Sequence, residues 1–257
     1  MFHNGYGSRI SIPEDYEQVC KKTNRRIIII DRPGFGKTDY LKGHPDEWHL
    51  FVNEFIEQLK IESYDILGSV LSCPLAIKFA SQADQRLKRM ILSSPTFINT
   101  EDDSKYLLGI LAPSRKIVKG SPRFAKQSYE LWLKSIALNL DKDYRKMVVG
   151  GLGPAEQSLF KQDNTIEFII SAFREATSKT LKGISNEMVF GLSPHKIDLS
   201  KITIPVDLWW GTEDVRFTLE GVENLAEKFP NCTLNVREGY SEHIYYALFE
   251  EIINTNN

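Results

Sequence analysis

Apolar positions along this chain fall into two alternating rhythms. Short, mostly β-branched runs predict buried strands: "RRIIIIDRPG", "SYDILGSV", "LKRMILSSP", "IPVDLWWGTED" and "CTLNVRE". Between them lie stretches with an apolar residue every three or four positions, which predict helices. In "DEWHLFVNEFIEQLKI" the pattern puts Trp48, Phe51, Val52, Phe55 and Leu59 on one face. "CPLAIKFASQA", "TLEGVENLAEKF" (Leu219, Val222, Leu225 and Phe229 aligned) and "SEHIYYALFEEII" read the same way. Strand-helix alternation of this kind predicts a mostly parallel sheet covered by helices on both faces, the α/β class.

One long interval breaks the alternation. From about Thr96 to Lys201 there are helical patterns such as "YELWLKSIALNL" and "TIEFIISAFREATSKTL" and no convincing strand. A hundred residues exceed what one crossover needs. We therefore expect residues 1–95 and 202–257 to form the core and residues 96–201 a helical cap inserted over the strand ends, where open α/β sheets bind ligands. Trp132, Phe168, Phe173 and Phe190 would make its underside partly apolar.

The 257 residues carry a net charge of -2, which offers no general attraction for nucleic acid or an anionic membrane. Cys20, Cys73 and Cys232 are far apart and outside any CxxC, so neither a disulfide framework nor a cysteine-rich metal site is expected. "MFHNGYGSR" has no apolar stretch of the signal-peptide kind, and "IIII" is far too short to cross a bilayer. A cytoplasmic protein with no metal and no cofactor is the expectation. Its partner would be a small-molecule ligand or substrate, with no nucleic acid and no membrane; a homo-oligomer is left open. "GYG" and "GFG" lack the GxGxxG spacing of a dinucleotide binder.

Five segments, in order, resemble the α/β-hydrolase fold family, in particular its small cap-bearing members. "FHNGYGSR" is similar to the family's His-Gly-x-Pro-Gly-Ser-Arg loop, and "DRPGFGKTD" to its Asp-Arg-Pro-Gly-x-Gly-x-Ser-Asp segment. "ILGSVLSCPLAIKFA" lies at the nucleophile elbow, "IPVDLWWGTED" at the segment delivering the acid, and "GYSEHIYY" at the final Gly-His. The resemblance implies Asp214 as the acid and His243 as the base, with backbone N–H groups of Gly5 and Leu71 as oxyanion donors. His3 would be the structural loop histidine. His44, His49 and His195 match no motif.

The elbow departs from the pattern. Gly68 on one side, and Pro74 with Ala76 on the other, put Val70 at the serine position, while Leu71 and Ser72 stand where the family prefers small residues. Ser69 is one position early. Ser72 is the alternative nucleophile, but a shift to it would place Val70 and Pro74 at the glycine positions. Cys73 lies off the turn. In the family, two or three strands precede the His-Gly loop, whereas only Met1 and Phe2 precede His3; N-terminal strands are therefore expected to be missing, or the chain begins further upstream. These features leave four readings: a degenerate hydrolase binding a small ligand, an Asp-His general-base enzyme without a covalent step, a serine hydrolase of small ester or acyl substrates with its elbow at Ser72, and a non-functional remnant.

Overall fold

A computed structural model of the chain describes residues 14–42, 44–162 and 165–255. Among them, four strands form one parallel sheet in the order β1 (Tyr64–Ser69), β2 (Leu87–Ser93), β3 (Val206–Gly211), β4 (Cys232–Arg237). The register runs Ile66 to Met90, Met90 to Val206 and Val206 to Cys232. All six residues of β3 are buried, which is why "VDLWWG" reads as a continuous apolar run rather than an alternation.

Helices flank the sheet. α1 (Glu14–Lys22) and α2 (Trp48–Gln58) precede it, α3 (Cys73–Ala80) joins β1 to β2, α10 (Leu219–Glu227) joins β3 to β4, and α11 (Ile244–Ala247) and α12 (Phe249–Asn254) follow. "SEHIYYALFEEII" is thus two short helices meeting at Leu248. Tyr16 of α1 stacks on Phe249 of α12 with ring centroids 4.1 Å apart. The buried face of α2 is Trp48, Val52 and Ile56. Phe51 and Leu59, expected on that face, are 36% and 44% exposed, because the packed stripe follows the i, i+4 row. Asp207 and Arg89 interrupt the apolar strands for a reason: the Arg89 guanidinium pairs with Asp207 and donates to the carbonyls of Ile252 (3.0 Å) and Ile253 (3.2 Å), fastening the end of α12 to the sheet.

Between Ser93 and Val206 the described residues contain no strand; they hold α4 (Leu111–Gly120), α5 (Pro122–Leu138), α6 (Arg145–Gly150), α7 (Pro154–Gln162), α8 (Thr165–Ala176) and α9 (Lys182–Gly191). α9 packs on the turn that follows β1, and α5 packs on α9.

"RRIIIID" does not form the predicted strand. Ile27–Ile30 are half-buried and lie outside any strand. A cleft of about 490 Å³, lined by Ile28, Ile30, Val52, Ile56, Ile66 and Leu67 among others, lies between this segment and β1. β-propensity does not make a strand without a hydrogen-bonded neighbour, and a cleft, not a ladder, lies between these isoleucines and β1.

Candidate active site

β1 ends at Ser69 in extended conformation (φ -131°, ψ 130°), a 3-10 turn covers Val70–Ser72, and α3 begins at Cys73. Val70 takes φ +53°. The left-handed region costs an L-residue about 1–2 kcal/mol and is a genuine outlier for a β-branched one. The sharp strand-to-helix turn is therefore built on a residue unsuited to it. Gly68 makes the turn possible from below: a Cβ there would meet Ala76 Cβ at 2.8 Å and Cys73 Cα at 3.0 Å.

No exposed nucleophile stands at this turn. Val70 and Leu71 are buried and apolar. The Ser72 hydroxyl is fully buried and occupied locally, accepting from the Ser69 N–H at 2.8 Å and donating to the Ser69 carbonyl at 3.0 Å. Ser69 is buried as well. Burial pushes the Cys73 thiol far above its ordinary value, against the weaker pull of its contact with the Ser93 carbonyl (3.6 Å); such a thiol is inert.

Asp214 follows β3 in a tight turn, with its N–H on the Gly211 carbonyl (3.0 Å) and a carboxylate oxygen accepting from the Arg216 N–H (2.8 Å). His243 precedes α11, its N–H donating to Ser241 Oγ at 3.2 Å. The two loops touch: the Glu213 N–H donates to the Tyr240 carbonyl at 2.9 Å. Yet no hydrogen bond joins the Asp214 and His243 side chains. His243 Nε2 instead lies 3.8 Å from Glu242 Oε1, which already accepts from Arg216 at 2.6 Å. The structure places Asp214 and His243 on adjacent loops without coupling them. Gly5 and His3 lie outside the described residues. Of the aromatics expected beneath the cap, Trp132 is 39% exposed, Phe173 stacks on Tyr144, and Phe190 packs on His195.

Several residues that sequence reading left unassigned turn out to organise this region. Glu156 of α7 is fully buried; it accepts from Ser241 Oγ at 2.5 Å and from the Gly153 N–H at 2.8 Å, tying the helical interval to the histidine loop. Burial raises its carboxyl above the ordinary value, opposed by the bond from Ser241. Glu187 of α9 accepts two bonds from Arg32 (2.7 and 2.9 Å) and meets His44 Nε2 at 2.7 Å. Gly34 (φ +83°) lies against Gly183, where a Cβ would meet Gly34 O at 2.6 Å. The "DRPGFG" segment is thus the platform on which α9 docks. Nothing in the sequence pairs Arg32 with a glutamate 155 positions away. Among the described residues no group of three or more His, Cys, Asp or Glu is arranged to hold a metal ion, and the cleft beside β1 touches neither Val70, Asp214 nor His243.

The two site groups titrate in opposite directions. Burial raises the Asp214 carboxyl from 3.8 to about 6; the Arg216 guanidinium and N–H oppose this and Glu242 adds to it. Burial lowers the His243 imidazole from 6.5 to about 4, with Glu242 opposing and Arg216 adding. Asp214 therefore contributes stability that is present below pH 3.8 and lost as pH rises through about 6. His243 contributes stability that is present above pH 6.5 and lost as pH falls through about 4. Each effect is on the order of 3 kcal/mol, and they nearly cancel between pH 4 and 6. We expect Asp214→Asn to make stability rise with pH across that window and His243→Phe to make it fall, with the parent flatter than either. Urea midpoints measured at several pH values test this; parallel slopes in the two variants would refute it.

No protein-family model matches the chain. A curated relative, the probable lysophospholipase BODYGUARD 3 of Arabidopsis thaliana, is 22% identical over 242 residues, covering 88% of this chain and 47% of that protein. The chain thus spans about half the length of the curated relative it matches. Among solved structures it is similar to the bromoperoxidase from Bacillus anthracis (TM-score 0.70, 16% identity, 98% of this chain and 89% of that one). It is likewise similar to the enol-lactonase from Burkholderia xenovorans LB400 (TM-score 0.66, 14% identity, 98% and 88%) and to MenH from S. aureus (TM-score 0.64, 16% identity, 98% and 90%). The chain has the α/β-hydrolase fold, with a parallel four-stranded sheet flanked by helices among its described residues.

Proposed function

We propose that this protein is a degenerate hydrolase: it keeps the elbow and a helical cap of residues 96–201, has lost covalent catalysis, and binds a small ligand at the C-terminal ends of the strands. The observation that carries this reading is Val70 at φ +53°. A conformation this strained persists only where its surroundings impose it, and a turn that once presented a serine is such a surrounding. A valine has no hydroxyl to attack a carbonyl, so no acyl-enzyme forms. The engaged, buried hydroxyl of Ser72 and the separation of His243 from Asp214 support the same conclusion. The similarity to an enol-lactonase and to a probable lysophospholipase favours ester-like or acyl compounds as the ligand class.

A second reading follows from the burial of Asp214 on a loop that touches the His243 loop. The Asp214 carboxyl, at about 6, could exchange a proton with a bound water near neutral pH. That reading needs no covalent step and no serine.

Treatment of the folded protein with a fluorophosphonate probe, followed by peptide mapping, separates these readings. The expected result is no adduct at Ser69 or Ser72. An adduct on Ser72 would restore an ordinary serine hydrolase with a shifted elbow. Ester hydrolysis without any adduct, lost in Asp214→Asn, would favour the second reading over the first.

A further inference from the structure

The outer surface of α5 has an unusual composition. Ala125, Tyr129, Leu133 and Ile136 face inward and are buried. On the opposite side, seven residues apart and so on one line along the helix, stand Phe124, Leu131 and Leu138, exposed by 59%, 71% and 76%. Trp132 of α5 (39%) and Ile117 of α4 (41%) are also exposed. A surface helix normally turns polar residues to water on the side away from its core. This one is apolar on two sides, and nothing among the described residues covers the outer one.

The charges around the stripe indicate what does. α4 and α5 carry six basic side chains, Arg115, Lys116, Lys119, Arg123, Lys126 and Lys134, against one carboxylate, Glu130. Arg115 is buried on Glu101, Lys119 reaches Glu101 at 3.2 Å, and Lys126 lies over the Tyr40 ring. Lys116, Arg123 and Lys134 have no ion-pair partner among the described residues. The whole-chain charge of -2 averages this concentration away.

We propose that the α4–α5 face docks on the surface of an anionic lipid bilayer, with Phe124, Leu131 and Leu138 entering the headgroup boundary and Lys116, Arg123 and Lys134 meeting lipid phosphates. Aromatic and leucine side chains inserted beside a ring of lysine and arginine are the composition of helices that lie in the interfacial plane. The lysine stems allow each ammonium to stay at phosphate level while its methylenes follow the apolar side chains down. A second copy of this chain fits worse, since a two-fold interface would set the same cations against one another. A nucleic acid would satisfy the cations and leave the apolar stripe in water. No described helix is long and apolar enough to cross a membrane. Because α5 packs on α9, and α9 on the turn carrying Val70, docking would set the helical interval between bilayer and sheet. The inference does not depend on the reading of that turn.

The test is sedimentation of the full chain with vesicles of phosphatidylcholine alone or with about one third phosphatidylglycerol, at low and high salt. The expected result is binding to the anionic vesicles that high salt weakens, and at least about tenfold weaker binding to phosphatidylcholine. Leu131→Asp/Leu138→Asp and Lys116→Glu/Arg123→Glu/Lys134→Glu should each reduce binding to anionic vesicles at least about tenfold. All five positions lie on the surface, and circular dichroism verifies that the variants fold. Absent binding, or binding that the leucine variant leaves unchanged, would overturn the proposal. So would a dimer in sedimentation velocity that the leucine variant dissolves, because the occupant would then be a second copy.

Discussion

Gly211→Ala is expected to destabilise the protein by about 3 kcal/mol, and to disturb the histidine loop more than any substitution of the histidine itself. Gly211 closes β3, and a Cβ on it would lie 2.1 Å from the Tyr240 carbonyl oxygen, 2.4 Å from the Tyr240 carbonyl carbon and 3.0 Å from the Ser241 nitrogen. All three are backbone atoms, so no side chain can swing aside. The turn cannot retreat either. On its far side a Cβ at Gly153 would meet the Gly239 oxygen at 2.2 Å, and the Gly239 N–H is held by Thr212 Oγ1 at 2.9 Å. The methyl must therefore push Tyr240 and Ser241 away from the sheet, straining the Ser241–Glu156 bond and shifting His243. Thermal unfolding checks this, with a fall in Tm of roughly 6–12 °C. Gly191→Ala is the control, because the nearest atom to a Cβ there is 3.6 Å away. Equal tolerance of the two substitutions would mean that the close approach does not govern stability.

The second large effect is expected at Glu187. Burial alone would raise its carboxyl, but the Arg32 guanidinium and His44 hold it below the ordinary carboxylate range, so it is the anion that binds them. All three side chains are essentially inaccessible to water. Glu187→Ala would remove the buried carboxylate that binds both Arg32 and His44, at a cost of about 3–5 kcal/mol. The ion pair also docks α9 on the "DRPGFG" platform, and α9 roofs the Val70 turn. Loosening of α9 should then speed hydrogen exchange in Val70–Cys73. Denaturant unfolding measures the loss, and the Arg32→Met/Glu187→Leu pair gives the diagnostic: removing both charges should cost less than removing Glu187 alone. If the double variant is no better than the single one, the interaction is not an ion pair of this kind.

Much of this architecture can be read from the chain itself. The strands at "YDILGS", "LKRMILS", "VDLWWG" and "CTLNVR" and the helix-only interval after β2 follow from apolar spacing, as does the parallel α/β class. The turn between β1 and α3 is legible from Gly68 and Pro74. Two elements differ from what spacing predicts. "IIII" has strong strand character yet pairs with nothing described, and α2 buries Trp48 and Val52 as its pattern predicts but adds Ile56 and leaves Phe51 exposed. Asp214, His243 and Val70 are legible in the sequence as candidate positions, whereas the absence of a hydrogen bond between Asp214 and His243 is not.

What the sequence determined by itself is whatever depends on neighbours two to four residues apart, because that spacing decides which side chains share the face of a strand or a helix. Tertiary structure alone decided the rest. It set Glu187 between Arg32 and His44, placed Glu156 against Ser241 across 85 positions, and turned His243 toward Glu242. It also left Ile27–Ile30 without a strand partner and held Val70 at a positive φ that its own side chain disfavours. Each of these outcomes requires a buried charge to find its counterpart, or a backbone to yield to its packing, at a distance in the chain where no periodicity carries information.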